Sequence, residues 1–260
     1  KLGFIRWATF TIKHKNVINE NLFTETSDEY DVLNPYARII VDEAQRRGIG
    51  VDIIDAEGGF FRLTHGGRSV ACRESLTSLT TAIAMSVCDD KRVTCRIVEA
   101  RGVRVPQQIT VEDEAGAKAF VEQRDAVVVK PARGEQGKGV AVGLKDWTDA
   151  KAAIDYAKTI CNDVIVEDFI AGVDLRIVVI NYRVVAAAIR KPATIVGNGK
   201  STVRELIERQ TRRRLAATGG ESAIPMDAET ERCLAAAGFG YEDIPAADVS
   251  IMVRKTANLH

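Results

Sequence analysis

Residues 127–143 have the composition of a site that handles phosphate. They read VVVKPARGEQGKGVAVG, a valine run that ends on Lys130 and falls into a glycine-rich loop. Glycines remove Cβ atoms where backbone N–H groups must approach a phosphate closely, and a lysine adds a compact positive charge. The pattern indicates a hairpin that closes over a polyphosphate. Its candidate binding residues, beside Lys130, are Gly134, Gln136, Gly137 and Gly139.

Two other interpretations of this loop have to be weighed. A Walker A loop needs G-x-x-x-x-G-K-[ST] leading into a helix, but here Gly137-Lys138 is followed by Gly139 and a predicted strand. A flexible surface hairpin with a lysine at its base would have the same composition. The loop alone therefore leaves phosphate binding and a surface hairpin open.

The elements before the loop are predicted from apolar periodicity. Residues 35–54 show helical spacing, a stop at Gly48 and an alternating strand from residue 51 to 54. Residues 60–74 predict two short strands around the turn His65-Gly66-Gly67. Residues 76–106 predict two helices, of which the second ends at Gly102.

The elements around and after the loop complete an α/β chain built of α+β modules. Thr110-Val-Glu-Asp113 is a capping-box pattern that predicts a short helix. The rest of this module is predicted as strands at 126–129 and 138–142, a helix at 147–157 and a strand at 164–169. Residues 175–190 predict a long hairpin turning at Asn181, whose continuous apolar runs indicate cover on both faces. A capping box at 202–205 predicts a helix to about Leu215, and residues 249–257 predict a last strand.

Composition limits the classes of partner. Lys+Arg 36 equals Asp+Glu 36, which argues against nucleic acid as the main partner, and no apolar stretch has the length of a membrane span. The five cysteines are scattered without zinc-knuckle or redox spacing, so they predict buried thiols in a reducing, cytoplasmic compartment. Because the chain begins at Lys1 without methionine, we expect it to be a piece of a longer protein.

From Cys88 onward, several motifs occur in the order found in ATP-grasp ligases. Asp90-Lys91 followed by a helix resembles the family's first phosphate lysine, and Lys130-Pro131 resembles the second, which holds the α- and β-phosphates. The segment 164–174, VIVEDFIAGVD, is similar to the hinge that binds adenine. The resemblance implies an ATP-grasp fold with three parts: an N-terminal pre-ATP-grasp domain at 1–88, a lid subdomain at 89–166 and an incomplete C-terminal subdomain at 167–260.

The resemblance also implies roles for hinge residues. The backbones of Glu167 and Ile170 would face the purine, and Asp174 would face the ribose hydroxyls. Each of these residues has a plain alternative: Glu167 could pair with Arg176, Asp174 could cap the turn after Gly172, and Lys91 could be an exposed lysine at a helix start.

Residues 188–207 resemble the stretch shared by cyanophycin synthetase and its relatives, and residues 23–38 and 253–260 resemble the N-acetylglutaminylglutamine synthetase family of osmolyte synthesis. This implies an ATP-dependent carboxylate-amine ligase that works through an acyl phosphate. Arg190 and Arg254 are then candidate cations beside the transferred phosphoryl group, with Asn258 nearby. For Arg254, a strand-end salt bridge is an equal alternative. The other functions left open are another cyanophycin-type peptide ligase and a non-catalytic nucleotide-binding regulatory protein.

The cofactors implied are ATP and Mg²⁺. In the family the metal is held by an acidic residue and a later Glu-x-Asn, and the expectation is that these ligands lie beyond His260. The partners implied are small amino-acid or acyl-amino-acid substrates, with no nucleic acid and no membrane. A homo-oligomer is left open.

Overall fold

The computed structural model describes residues 28–220 and 222–256, which fall into two compact units. Of the described residues, one unit comprises 28–80 with Arg176–Ala188, and the other comprises Thr81–Leu175 with 189–220 and 222–256. The domain limits at residues 88 and 166 stay a prediction. None of the helices in the described ranges is long and apolar enough to cross a membrane.

The first unit is built on an antiparallel sheet in the order β1-β2-β3-β4. Its elements are α1 (Asp28–Val32), α2 (Pro35–Arg46), β1 (Gly50–Asp55), β2 (Phe60–His65), β3 (Arg68–Arg73) and β4 (Leu76–Thr77). Asn34 caps α2 by accepting a hydrogen bond from the N–H of Ala37 at 3.0 Å. The apolar stripe of α2 packs against the inward residues of β2 and β3. Gly66 and Gly67 both have positive φ, so the predicted hairpin turn is confirmed.

The second unit contains the glycine-rich loop. It begins with α3 (Ala82–Asp89) and α4 (Lys91–Glu99), and Gly102 follows α4 as predicted, with φ of 79°. Its antiparallel sheet has the order β5-β8-β6-β7, and two helices pack on one face. These elements are β5 (Gln108–Thr110), α5 (Glu114–Glu122), β6 (Val127–Pro131), β7 (Ala141–Leu144), α6 (Trp147–Lys158) and β8 (Val164–Asp168).

Alternation along these strands separates a core face from a site face. Val127 and Val129 of β6 are fully buried against α5 and α6. Because successive side chains of a strand point to opposite faces, Val128 and Lys130 lie on the other face. Val128 pairs with Glu167 of β8, which brings that carboxylate onto the same face as Lys130.

The remaining elements follow the hinge. The predicted hairpin is confirmed as β9 (Asp174–Ile180) and β10 (Arg183–Arg190), with positive φ at Asn181 and Tyr182. β11 (Thr194–Val196) pairs with β12 (Ser250–Met252), and both pack with α7 (Val203–Ala217) and α8 (Ala228–Ala236). The capping box of α7 is present, since Thr202 and Glu205 exchange hydrogen bonds.

Four predicted limits differ from the structure. Thr110 continues the β5–β8 ladder, opposite Ile165, so Asp113 alone caps α5. The returning strand begins at Ala141 rather than Lys138, because Gly137 and Gly139 have φ near +70° and leave the extended region. β6 extends past the predicted limit, and β12 is shorter than residues 249–257, of which residue 257 lies outside the described part.

Two burial predictions are also corrected. Every residue of β9, and of β10 up to Ile189, is exposed, so within the described chain no layer covers either face of this hairpin. The cysteines are all free thiols, but Cys88 is exposed because α3 has no buried residue, and only Cys72 and Cys233 are buried.

Leu144 tests the core beneath the site face. This last residue of β7 is completely buried in the core that β7 forms with the two helices. Leu144→Ala should lower the free energy of unfolding by about 2–5 kcal/mol, because it removes buried methyl groups and leaves a cavity. Urea unfolding would measure this. Leu79→Ala, at a side chain that is mostly exposed, is the control and should change stability by less than about 0.5 kcal/mol. Equal losses in the two variants would contradict the burial.

Candidate functional site

Lys130 and Glu167 form an ion pair on the site face of the sheet. The Nζ atom of Lys130 lies 2.5 Å from Oε1 of Glu167, and the glutamate is 8% exposed. The alternative pairing of Glu167 with Arg176 is not what the structure shows for this carboxylate. The short bond holds the lysine side chain on the site face, beside the Val128–Glu167 residue pair.

Lys91 approaches the same loop from the start of α4. Its backbone N–H donates to the carbonyl of Ala132 at 3.0 Å, and its Nζ donates to the carbonyl of Gly134 at 3.0 Å. Burial lowers the pKa of the Lys91 ammonium, and the positive charge of Lys130 lowers it further. The Lys91 amine is thus held at Gly134 and lies within electrostatic range of Lys130, and Lys91 is not a free helix-start lysine.

The glycine-rich loop owes its shape to residues with positive φ. These are Gly134 (126°), Gln136 (56°), Gly137 (71°) and Gly139 (69°). Two short hydrogen-bonded turns hold the loop, from Lys138 N–H to Glu135 O and from Val140 N–H to Gly137 O. A Cβ atom on Gly139 would lie 2.7 Å from Cδ1 of Ile160 and 3.0 Å from Cγ of Pro131. Glycine is therefore required at this position for space as well as for conformation.

Asp90 anchors the start of α4, a role that the Asp90-Lys91 motif did not indicate. Its buried carboxylate accepts hydrogen bonds from the backbone N–H, Nε and Nη2 of Arg92. Arg92 also reaches Asp163 at 2.7 Å, so it bridges two carboxylates from distant parts of the sequence. The Arg92 side chain lowers the pKa of Asp90 to about 2, although burial of the carboxyl opposes the shift.

Backbone hydrogen bonds fix two residues in the middle of the hinge segment 164–174. The N–H of Asp168 donates to Gln107 O at 2.9 Å, and the N–H of Phe169 donates to Ala126 O at 3.2 Å. The Asp168 carboxylate also accepts from Arg124 Nε at 2.5 Å and from the Gln107 N–H at 3.1 Å. Of the next hinge residue, Ile170, the side chain is exposed and no partner for the N–H is found in the described part of the chain.

Asp174 and Arg190 lie at the open end of the β9–β10 hairpin and pair with each other. Nη2 of Arg190 is 2.9 Å from Oδ1 of Asp174, and Nε donates to the same oxygen at 3.0 Å. The candidate ribose ligand and the candidate phosphoryl cation are therefore neighbours. A nucleotide ribose would share this carboxylate with the guanidinium.

Arg254 is held away from solvent by α8. It is 3% exposed, and its Nη1 donates to Asp227 Oδ1 at 2.5 Å and to Thr230 Oγ1 at 3.1 Å. Asp227 is also the N-cap of α8. These contacts correspond to the salt-bridge alternative for Arg254. The other catalytic candidate, Asn258, lies outside the described residues.

Cys95 is one further residue near the two lysines that the sequence analysis did not single out. Cys95 lies one helical turn after Lys91 on α4, and the pKa of its thiol is raised by burial and by the Glu167 carboxylate, while Lys130 lowers it. A helical spacing of four from Lys91 could have indicated that the two side chains share a face.

The described residues were tested for a magnesium site. Between residues 28 and 256, leaving out residue 221, no group of three or more His, Cys, Asp or Glu side chains could hold a metal ion. Two carboxylates among the candidate nucleotide contacts, Glu167 and Asp174, already pair with Lys130 and Arg190. These residues do not by themselves fit Mg²⁺.

Comparison with known proteins places the loop and hinge in one domain type. Residues 88–200 match a RimK-like ATP-grasp domain. Over 232 residues the chain is 31% identical to cyanophycin synthetase of Nostoc sp. (strain PCC 7120 / SAG 25.82 / UTEX 2576), covering 87% of this chain and 26% of that one. It is also 31% identical over 232 residues to the glutathione biosynthesis bifunctional protein GshAB of Listeria innocua, covering 85% and 30%.

A solved structure has the same fold. The bifunctional glutathione synthetase from Pasteurella multocida aligns with 88% of this chain and 32% of its own, at a TM-score of 0.51 and 24% identity. The chain therefore spans only about a quarter to a third of the length of these relatives.

Asp90 gives a prediction about pH. Its folded pKa of about 2 lies below the ordinary value of 3.8, so its stabilisation is complete above about pH 4 and is lost as the pH falls toward 2. Asp90→Asn keeps a helix-capping side chain but removes the charge. At pH 7 it should cost about 2 kcal/mol of unfolding free energy, and the difference from the unaltered chain should shrink between pH 4 and pH 2.

Urea unfolding at several pH values checks this. Asp113→Asn is the matched control, because Asp113 caps α5 at an exposed site and asparagine caps equally well. A variant at Asp90 that is as stable as the unaltered chain at pH 7 would contradict the role of the carboxylate.

Gly139 gives a prediction about the loop. Gly139→Ala should destabilise the protein by about 1–3 kcal/mol, since it adds both a positive-φ strain and a clash with Ile160. Gly102→Ala, at a similar positive φ of 79°, meets no atom within 4 Å and should cost less. Thermal or urea unfolding would rank the two. Adding Ile160→Val to Gly139→Ala should restore part of the loss, and no restoration would count against the clash.

Proposed function

Because this chain carries a RimK-like ATP-grasp domain at residues 88–200, we propose that it is part of an ATP-dependent carboxylate-amine ligase. The observation that carries the proposal is the convergence of Lys91, Lys130 and the loop carbonyl of Gly134. Two ammonium groups beside a loop rich in positive-φ glycines form a local anion site in a chain whose net charge is zero.

The proposed reaction proceeds in two steps. A substrate carboxylate oxygen attacks the γ-phosphorus of ATP, forming an acyl phosphate and releasing ADP. An amine then attacks the acyl carbon, loses a proton and expels inorganic phosphate, which leaves an amide. Phosphoryl transfer is catalysed mainly by positioning and electrostatic stabilisation, so no protein nucleophile is needed.

Each part of the site has a proposed role. Lys130 binds the α- and β-phosphates, Lys91 approaches the chain of phosphates from α4, and the loop backbone covers them. The Ile170 N–H binds the purine, and Asp174 binds the ribose. The Glu167 backbone is a weaker proposal for the purine, since Glu167 is paired with Gln108 and with Val128 in the sheet. Arg190 is proposed as a cation beside the transferred phosphoryl group, and Arg254 and Asn258 stay weaker proposals, since Arg254 already has the Asp227 carboxylate as its partner.

In this proposal, Glu167 and Gly134 occupy the positions that phosphate oxygens take when ATP binds. Each occupies an ammonium group that a phosphate oxygen would bind. Binding of ATP exchanges these contacts for stronger charge-assisted hydrogen bonds and relieves the repulsion between the lysines.

For the substrates, we propose N-acetylglutamine as the carboxylate donor and glutamine as the amine, which would make an osmolyte dipeptide in the cytoplasm. Mg²⁺ is proposed as the partner of ATP, but no step is assigned to it, since the described residues do not form its site. The relatives named cyanophycin synthetase and GshAB make other amino-acid ligations the natural comparison.

Two measurements test the function. Phosphate release from ATP should depend on both the carboxylate and the amine, and a panel of donors would rank acetylglutamine with glutamine against the substrates of cyanophycin-type ligases. Titration with a non-hydrolysable ATP analogue, with and without Mg²⁺, measures nucleotide binding apart from turnover. Nucleotide binding with no phosphate release for any pair would favour the regulatory protein, and no binding at all would overturn the proposal.

Lys91 gives a variant that separates binding from folding. Lys91→Met should weaken binding of the ATP analogue about tenfold or more, because a charge-assisted hydrogen bond is worth about 1.5–3 kcal/mol. Without nucleotide, the unfolding midpoint should not fall, since a half-buried ammonium repelled by Lys130 is replaced by an apolar side chain.

Calorimetry and thermal unfolding give the two readouts. Lys118→Ala is the control for loss of one positive charge, because Lys118 is exposed on α5 and pairs only across one helical turn with Glu122. Unchanged affinity in Lys91→Met, or equal losses in the two variants, would contradict a phosphate role for Lys91.

A further inference from the structure

Arg133 lies between the last strand residue before the loop and its first glycine, yet the proposed reaction gives it no role. Its Nε is 3.3 Å from Oδ2 of Asp89, and its Nη2 is 3.6 Å from Oδ2 of Asp90. The guanidinium therefore spans the last residue of α3 and the N-cap of α4. One side chain connects the base of the loop to the junction that carries Lys91.

The backbone on either side of Arg133 is tied to the same junction. Ala132 accepts the backbone N–H of Lys91, and Gly134 accepts the Lys91 ammonium, both at 3.0 Å. On its other side, Ala132 donates its N–H to the carbonyl of Asp163 at 2.8 Å. We define the lid base as residues 132–134.

The two carboxylates that receive Arg133 differ in their surroundings. Asp89 is exposed, and an exposed ion pair contributes little on its own. The Asp90 side chain is 5% exposed and is oriented by Arg92, which also bridges to Asp163. Arg133 thus reaches an acceptor, the Asp90 carboxylate, that Arg92 already holds in position.

We propose that Arg133 is a positioning residue for nucleotide binding: it latches the lid base to Asp89 and Asp90, so that Lys91 and Lys130 converge on one anion. This rests on the proposed function, because the anion is the phosphate of the nucleotide. Without the latch, the Gly134 carbonyl and the loop behind it lose one of their ties to α4. The two lysines and the loop then have to be ordered by the ligand itself, which costs affinity.

The arrangement needs arginine rather than any cation. The planar guanidinium presents Nε and Nη2 to two separate carboxylates, whereas a lysine has a single ammonium group. Arg133→Lys should therefore restore little of what Arg133→Ala loses.

The first experiment measures binding of a non-hydrolysable ATP analogue by calorimetry. Arg133→Ala should raise the dissociation constant about threefold to tenfold, and Arg104→Ala, which removes an exposed arginine outside the loop, should leave it unchanged. Hydrogen exchange at residues 134–140 should be faster in Arg133→Ala without ligand. The unfolding midpoint should stay within about a degree, since more than half of the Arg133 side chain is exposed.

The second experiment separates a latch from direct contact with the phosphates. Asp89→Asn should weaken binding less than Arg133→Ala does, because Asp90 still receives the guanidinium, and it should add no further loss in the doubly substituted chain Arg133→Ala/Asp89→Asn. If Arg133 instead contacts the nucleotide, Asp89→Asn leaves the affinity unchanged or adds its full effect to that of Arg133→Ala, and the proposal fails.

Binding of the ATP analogue to the unaltered chain distinguishes failure of the proposed function from failure of the Arg133 latch. If it does not bind the ATP analogue, the proposed function fails. If it binds, and Arg133→Ala binds equally well with unchanged hydrogen exchange in the loop, only the latch fails.

Discussion

Like charges held close together are the constraint on which the candidate site depends. Lys91 and Lys130 lie near enough for one to lower the pKa of the other, and such a pair is unfavourable without an anion. The chain offsets this cost locally, with a carboxylate at Lys130 and a backbone carbonyl at Lys91. Both partners are weaker ligands for an ammonium group than a polyphosphate, so the folded chain is prepared for an exchange of partners.

The surrounding structure keeps this arrangement rigid. Four buried valines on one face of the β5-β8-β6-β7 sheet lock the strands against α5 and α6, which fixes where Lys130 and Glu167 emerge on the opposite face. Asp90, Arg92 and Asp163 hold the start of α4 against the same sheet. The loop between β6 and β7 contains four residues with positive φ, of which three are glycines. A rigid sheet with a glycine-rich loop beside it is suited to a ligand that must bind and dissociate.

Local signals in the sequence predicted most of the elements. The turn at Gly66-Gly67, the capping box at Thr202 and the end of α4 at Gly102 depend on residues close in sequence, and they were correct. The Thr110 capping pattern failed because a strand partner 55 positions away, Ile165, competed for the same backbone. The apolar sequence of the β9–β10 hairpin predicted that both of its faces would be covered, but it did not indicate which residues would cover them. Lys91 and Lys130 could be named from their motifs. The Arg133–Asp90 and Arg124–Asp168 pairs could not, since each joins residues more than 40 positions apart.

The hydrogen bonds of the hinge bear on the choice between the two purines. The N–H groups of Asp168 and Phe169 already donate to the carbonyls of Gln107 and Ala126. Ile170 is therefore the first donor of the hinge without a partner in the described chain. A base edge at that point has to offer a lone pair. Adenine has one at N1, while guanine carries a hydrogen on the same atom, so two donors would face each other. Discrimination against GTP would then come from the backbone, and no side-chain substitution in the hinge would easily reverse it.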